Sequence, residues 1–175
     1  LAVNYYLGDV VLSATAGRYT QLPVSRLLAQ ENKLKSESCI QYNVGAQYEG
    51  DGRFYKAELY YKKYDRLALV EKGTVDAAEV LTSGGYGYSK GFDLFFNDRV
   101  LLKNLEYQLS YTYNIAKRKF QEYTELTTPQ YATQHNASLV LKYSIPRIGT
   151  IVGLTNRFSS GRPYHNPDLL GLMND

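Results

Sequence analysis

The sequence has no tryptophan, one methionine, one cysteine and two histidines. A single thiol, Cys39, excludes a disulfide framework and a cysteine-based zinc site, both of which need several thiols. The two histidines, His135 and His165, lack the close spacing of a metal-binding pair, and His135 reads as the entrance to a strand. No apolar run approaches the roughly 18 residues that a membrane-crossing helix needs, and the N-terminal Leu1-Ala2-Val3-Asn4 lacks the basic region of a signal peptide. Charge of one sign is also missing. Lys and Arg number 20 against 17 Asp and Glu, and they are scattered, so no basic stripe forms and no nucleic-acid partner is expected.

What the chain has in quantity is tyrosine, 18 in 175 residues, with 6 phenylalanines and 14 glycines. Tyrosine joins an apolar ring to a hydroxyl, which suits half-buried strands and the boundary between water and lipid. The apolar fraction of 44% and charged fraction of 21% exclude a disordered tail, a coiled coil and a collagen.

Periodicity then decides the secondary structure. In 40 to 48, Ile40, Tyr42, Val44, Ala46 and Tyr48 alternate with Gln41, Asn43, Gly45 and Gln47. A period of two is a strand with one apolar and one polar face. The pattern is clearest in 105 to 115, where Leu105, Tyr107, Leu109, Tyr111, Tyr113 and Ile115 oppose Glu106, Gln108, Ser110, Thr112 and Asn114. Further strands are expected over 1 to 6, 9 to 19, 54 to 64, 85 to 96, 137 to 145 and 149 to 159, with at most a helical turn in 25 to 34. Tight links at Leu7 to Asp9, Glu49 to Gly52, Asn97 to Asn104 and Pro146 to Ile148 alternate with long ones at 20 to 38, 65 to 84, 118 to 134 and beyond 160. Such alternation means antiparallel hairpins with all short turns at one end.

A soluble barrel hides its apolar face inside, whereas a transmembrane barrel shows it to lipid around a polar lumen. Alternation alone does not choose between them. Strand length, aromatic placement and loop asymmetry favour the membrane. Strands of about 9 to 13 residues match the roughly 9 to 11 that cross a bilayer when tilted, against about 5 to 6 in soluble sheets. Tyr48, Tyr55, Tyr107 and Tyr143 sit on the apolar face near the short turns, as an interfacial girdle would. Lipid tolerates strands only when they close into a ring.

Several stretches resemble the C-terminal barrel of TonB-dependent outer-membrane receptors. Residues 30 to 67, QENKLKSESCIQYNVGAQYEGDGRFYKAELYYKKYDRL, look like that family's loop, strand, turn and strand, with Lys35-Ser36-Glu37 where Lys-Pro-Glu is usual. GGYGYSKGFDLFFND, LEYQLSYTYNIAKRKF, PQYATQHNASLVLKYSI and FSSGRPYHNP are similar to later segments in the same order. The resemblance implies an all-β, antiparallel transmembrane β-barrel, with about eight strands present as part of a larger, about 22-stranded barrel. It makes residues 1–175 a partial outer-membrane barrel without a plug domain. It further implies a location in the bacterial outer membrane and uptake of a nutrient such as a siderophore-iron complex, cobalamin or an oligosaccharide. Loops would bind the small molecule or glycan, and the TonB complex would act through a plug domain not in this chain. Outer-membrane lipid would surround the wall.

On this reading Gln41, Asn43, Gln47, Lys56, Glu58, Lys62, Asp93, Glu106, Gln108, Asn114 and Lys142 face the lumen. Candidate ligand contacts near the long loops are Tyr64, Arg66, Lys117, Arg118, Lys119, Tyr123, Tyr131, Arg157, Arg162, Tyr164, His165 and Asn166, since tyrosines stack on flat chelates or sugars and cations pair with anions. No catalytic constellation is present: the carboxylates Asp93, Glu58 and Glu106 fall among lysines, and the glycine-rich 84 to 91 lacks phosphate-loop spacing. No enzyme activity, cofactor or metal is expected. The alternatives are a small eight-stranded outer-membrane barrel acting as adhesin or scaffold, and a soluble calycin-like ligand-binding barrel.

Overall fold

The computed structural model describes residues 1–31, 33–72, 79–121, 123 and 125–163. Eight strands form one antiparallel sheet in sequence order: β1 (Ala2–Leu7), β2 (Val10–Gln21), β3 (Glu37–Gly50), β4 (Arg53–Lys72), β5 (Glu79–Leu102), β6 (Leu105–Lys119), β7 (His135–Ile145) and β8 (Thr150–Ser159). Among the described residues the one α-helix is short, α1 (Ser25–Gln30), and no described helix is long and apolar enough to cross a membrane, which does not bear on strands that cross one. Valine, tyrosine, threonine and phenylalanine supply the β-propensity, and turn chemistry sets the links. Asp51 and Gly52 join β3 to β4 with φ of 50° and 75°, the left-handed pair that a two-residue hairpin requires.

Register fixes the faces. Tyr42 pairs with Tyr61, Val44 with Leu59 and Ala46 with Ala57, then Leu59 with Phe92, Phe92 with Tyr113, Leu109 with Leu139 and Leu141 with Leu154. One apolar band therefore runs unbroken across the sheet. It is not a core: Val44 is 51% exposed, Leu59 58% and Leu154 58%. The polar face of the central strands is the more enclosed, with Gln41, Asn43, Gln47 and Glu58 half-buried and Ser89 buried.

This distribution is the reverse of a soluble calycin, which would gather the apolar side chains into a dry centre. The small closed barrel is also not what the chain forms, because no pairing among the described residues joins β1 to β8.

Two expected loops are strand instead. The segment 65 to 84 is largely a continuation of the β4–β5 hairpin, to Lys72 and from Glu79. The link at 97 to 104 tightens to Lys103-Asn104, with a register shift between Asp98 and Leu102. Beyond the band, the long hairpin carries the chain's small apolar cluster, in which Leu27 of α1 packs with Leu34 and Ala68, flanked by Leu28 and Leu81. At the opposite rim Asp98 is fully buried, accepting hydrogen bonds from Tyr55 Oη and from the backbone N–H groups of Val100 (2.7 Å) and Leu101 (2.8 Å), with Arg53 at 3.5 Å.

Candidate functional site

The residues expected to line a lumen do share one sheet face. Gln41 stands opposite Lys62, Asn43 opposite Tyr60, Gln47 opposite Lys56, and Glu58 opposite Asp93; Glu106 stands opposite Lys142, with Gln108 and Asn114 on the same side of β6. Most charges there are matched locally. Lys56 lies 2.9 Å from Glu58, and Glu106 lies 3.3 Å from Arg99 and 3.7 Å from Lys142. Asp93 accepts a 2.6 Å hydrogen bond from Thr112 Oγ1, and Gln41 donates to Asn43 at 3.0 Å. Asp93 and Glu58 face each other but hold separate partners, Thr112 and Lys56 respectively. The polar face also carries Phe95, stacked edge-on against Phe54 at 5.7 Å, which alternation alone does not anticipate.

The long-loop end of this face has a different character. The Arg118 guanidinium lies 4.0 Å over the Tyr64 ring and 5.7 Å from that of Tyr131, bringing together three residues from β4, β6 and the β6–β7 loop. Its Nε is buried without a hydrogen-bond partner among the described residues. Tyr64 lies beyond the apolar band, and burial pushes its phenol upward against the opposing pull of Arg118. Beside this stack a pocket of about 130 Å³ is lined by Tyr19, Gln21, Glu37, Cys39, Tyr64 and Arg118, among others. Gln21 Nε2 donates to Glu37 Oε2 at 3.0 Å. Tyr19, Gln21 and Glu37 were not singled out from sequence, yet the parity was readable: Tyr19 pairs with Cys39, and Cys39 with Tyr64, on the polar side.

Other candidates lie elsewhere. Arg66 is inside β4, at a register irregularity, with φ of 61° rather than in a loop. Lys117 and Lys119 alternate with Arg118 and so point to the apolar side of β6, away from Tyr64. Tyr123 stacks on Phe120 at 5.4 Å. Arg157 lines a shallow groove on the polar side with Ser110, Thr112 and Asn136, and Arg162 is exposed beyond β8. Tyr164, His165 and Asn166 lie outside the described residues. Among the described residues no three His, Cys, Asp or Glu side chains are grouped to hold a metal ion.

The open sheet, with an exposed apolar band on one face and polar side chains on the other, superposes on solved transporters. The FrpB iron transporter from Neisseria meningitidis, F3-3 variant, superposes with a TM-score of 0.69 over 89% of this chain at 13% identity. Its F5-1 variant in the apoprotein form gives 0.68, again over 89% and at 13% identity. The copper transporter OprC gives 0.64 over 83% at 19% identity. The fold is that of a TonB-dependent transporter barrel wall. The chain spans 25%, 26% and 24% of these three proteins' lengths. No family model matches the sequence, and no curated protein matches it.

Proposed function

We propose that this chain is a wall section of an outer-membrane, TonB-dependent uptake receptor, with its apolar band in lipid, its polar face toward a lumen and its long loops outside the cell. The observation that carries the reading is the unbroken exposed apolar band backed by a hydrogen-bonded polar face, in a sheet whose solved likenesses are metal transporters. The Arg118, Tyr64 and Tyr131 stack is the foremost ligand contact: it offers aromatic faces and a cation at the mouth, suited to an anionic, flat or chelated cargo. Siderophore-bound iron fits that chemistry; cobalamin and an oligosaccharide are the other cargo classes. Arg157, on the polar side of β8, and Arg162 beyond that strand are further candidate contacts for the cargo, and Tyr164, His165 and Asn166 are candidates by sequence alone. Binding outside would be followed by a pull from the energised TonB complex on a plug domain, opening a path along the polar wall without chemical change to the cargo.

Uptake by cells with and without the gene tests this, using radiolabelled ferric siderophores, a copper chelate, cobalamin and oligosaccharides, each with and without a protonophore. Loss of one cargo's energy-dependent uptake on deletion is expected. Unchanged uptake of every class, or uptake that persists in de-energised cells, contradicts the proposal.

A further inference from the structure

Two opposite charges line the pocket of about 130 Å³ beside the Arg118 stack, and the stack uses only one of them. The other is Glu37, the first residue of β3, on the polar side of the sheet with Cys39 and Tyr64. One of its carboxylate oxygens accepts from Gln21 Nε2 at 3.0 Å and the other from the backbone N–H of Ala68 at 3.4 Å, both neutral donors. Arg118 comes from the far side of β5. Gly87 lies between Tyr64 and Arg118 in their cross-strand row, and a Cβ there would come within 2.8 Å of Arg118 Cγ, so its bare backbone lets the guanidinium cross to the Tyr64 ring. Neither charge forms an ion pair among the described residues, with the other or with a third group. By contrast, Glu58 and Glu106 hold basic partners at 2.9 and 3.3 Å. Glu37 stands two residues, about 7 Å, along β3 from Cys39, the cross-strand neighbour of Tyr64. An ammonium and a carboxylate separated by one carbon, each hydrogen-bonded at about 2.8 Å, bridge a gap of that order.

Two uncompensated charges of opposite sign on one pocket are complementary to a ligand that carries both signs. We propose that this pocket takes a zwitterionic aminocarboxylate end group of the cargo, its carboxylate on Arg118 and its ammonium on Glu37. The volume falls below the roughly 300 Å³ at which pockets begin to hold a drug-sized molecule whole, so an end group enters and the bulk of the cargo stays outside. Glu37 is then a specificity-determining residue, because a cargo ending in a carboxylate alone leaves it unanswered. The inference rests on the receptor reading above.

Cys39 lines the same pocket, so its reactivity reports occupancy. The whole receptor that carries this chain, purified in detergent, is treated with methyl methanethiosulfonate, and the rate at Cys39 is read by peptide mass spectrometry. The probes are glycine, acetate, methylamine and phosphoethanolamine. Glycine is expected to halve the rate at a concentration about tenfold lower than any of the others, which lack one charge or are too long for the pocket. In Glu37→Gln the advantage of glycine over acetate is expected to vanish while its advantage over methylamine stays, and in Arg118→Gln the reverse. Equal protection by acetate, methylamine or phosphoethanolamine overturns the proposal, as does an unchanged preference in Glu37→Gln. So does the absence of protection by glycine, or a Cys39 that fails to react even in the free receptor. Should Arg118→Gln not fold, Glu37→Gln and the four-probe comparison decide. If glycine gives no protection while gene deletion still abolishes energy-dependent uptake, this inference falls and the receptor reading stands; uptake unaffected by deletion refutes the receptor reading itself.

Discussion

The Tyr60 hydroxyl donates a 3.0 Å hydrogen bond to Asn114 Oδ1 across the bare backbone of Gly91, which lies between them in the same cross-strand row. Ser89 Oγ donates to the same oxygen at 2.7 Å. The missing side chain of Gly91 lets β4 reach β6 over β5, because a Cβ there would collide with the Tyr113 carbonyl and come within 2.7 Å of the Tyr60 hydroxyl. Gly91→Ala is expected to destabilise the folded barrel by about 1 to 3 kcal/mol. Gly153→Ala, whose Cβ would meet nothing nearer than 3.9 Å, is the control. Urea unfolding in lipid vesicles measures both; equal midpoints would contradict this geometry.

Leu109 and Gln108 are neighbours on β6 that face opposite sides. Leu109→Arg is expected to cost about 2 to 4 kcal/mol if the side chain meets the bilayer midplane, and Gln108→Arg a small fraction of that. A refolding titration into vesicles that gave comparable costs would reject the assigned faces.

Asp98 is buried among two backbone N–H donors, the Tyr55 hydroxyl and Arg53. Asp98→Ala leaves those donors unanswered and is expected to cost about 2 to 4 kcal/mol, largely by loosening the β5–β6 turn. Hydrogen exchange at Val100 and Leu101 should accelerate. Unchanged protection there would show that the carboxylate does not hold the turn.

Arg118→Lys keeps the charge but loses the planar stack on Tyr64, so cargo affinity is expected to fall about tenfold, and Arg118→Ala further. Equilibrium binding of the transported cargo to the whole receptor reads this directly. Equal affinity in all three proteins would remove the stack from the site.

How far the sequence discloses this fold varies by segment. Residues 40 to 48 and 105 to 115 alternate cleanly because one face of the sheet carries the hydrogen-bonded polar side chains and the other the apolar band, so their faces were readable residue by residue. Leu67, Ala68 and Leu69 are all buried, α1 and neighbouring loops covering the hairpin there, and the alternation that marks a strand disappears with the polar face. The β4–β5 extension was therefore hidden, as was the irregularity at Arg66. Tyr64, Arg118 and Tyr131 were readable as types near loops, but their meeting depends on register and on the path of the β6–β7 loop. Asp98 gave no sign because its partners are two backbone amides created by the turn itself and two side chains, Tyr55 and Arg53, brought to it by the β4–β5 register.

The most direct test labels positions 105 to 113 one at a time with a nitroxide, in a Cys39→Ser background in vesicles, and measures collision with oxygen and with a water-soluble nickel chelate. Oxygen contact should peak at Leu105, Tyr107, Leu109, Tyr111 and Tyr113, with nickel contact peaking at the positions between. Reversed phases, or no alternation, would contradict the placing of the apolar band in lipid.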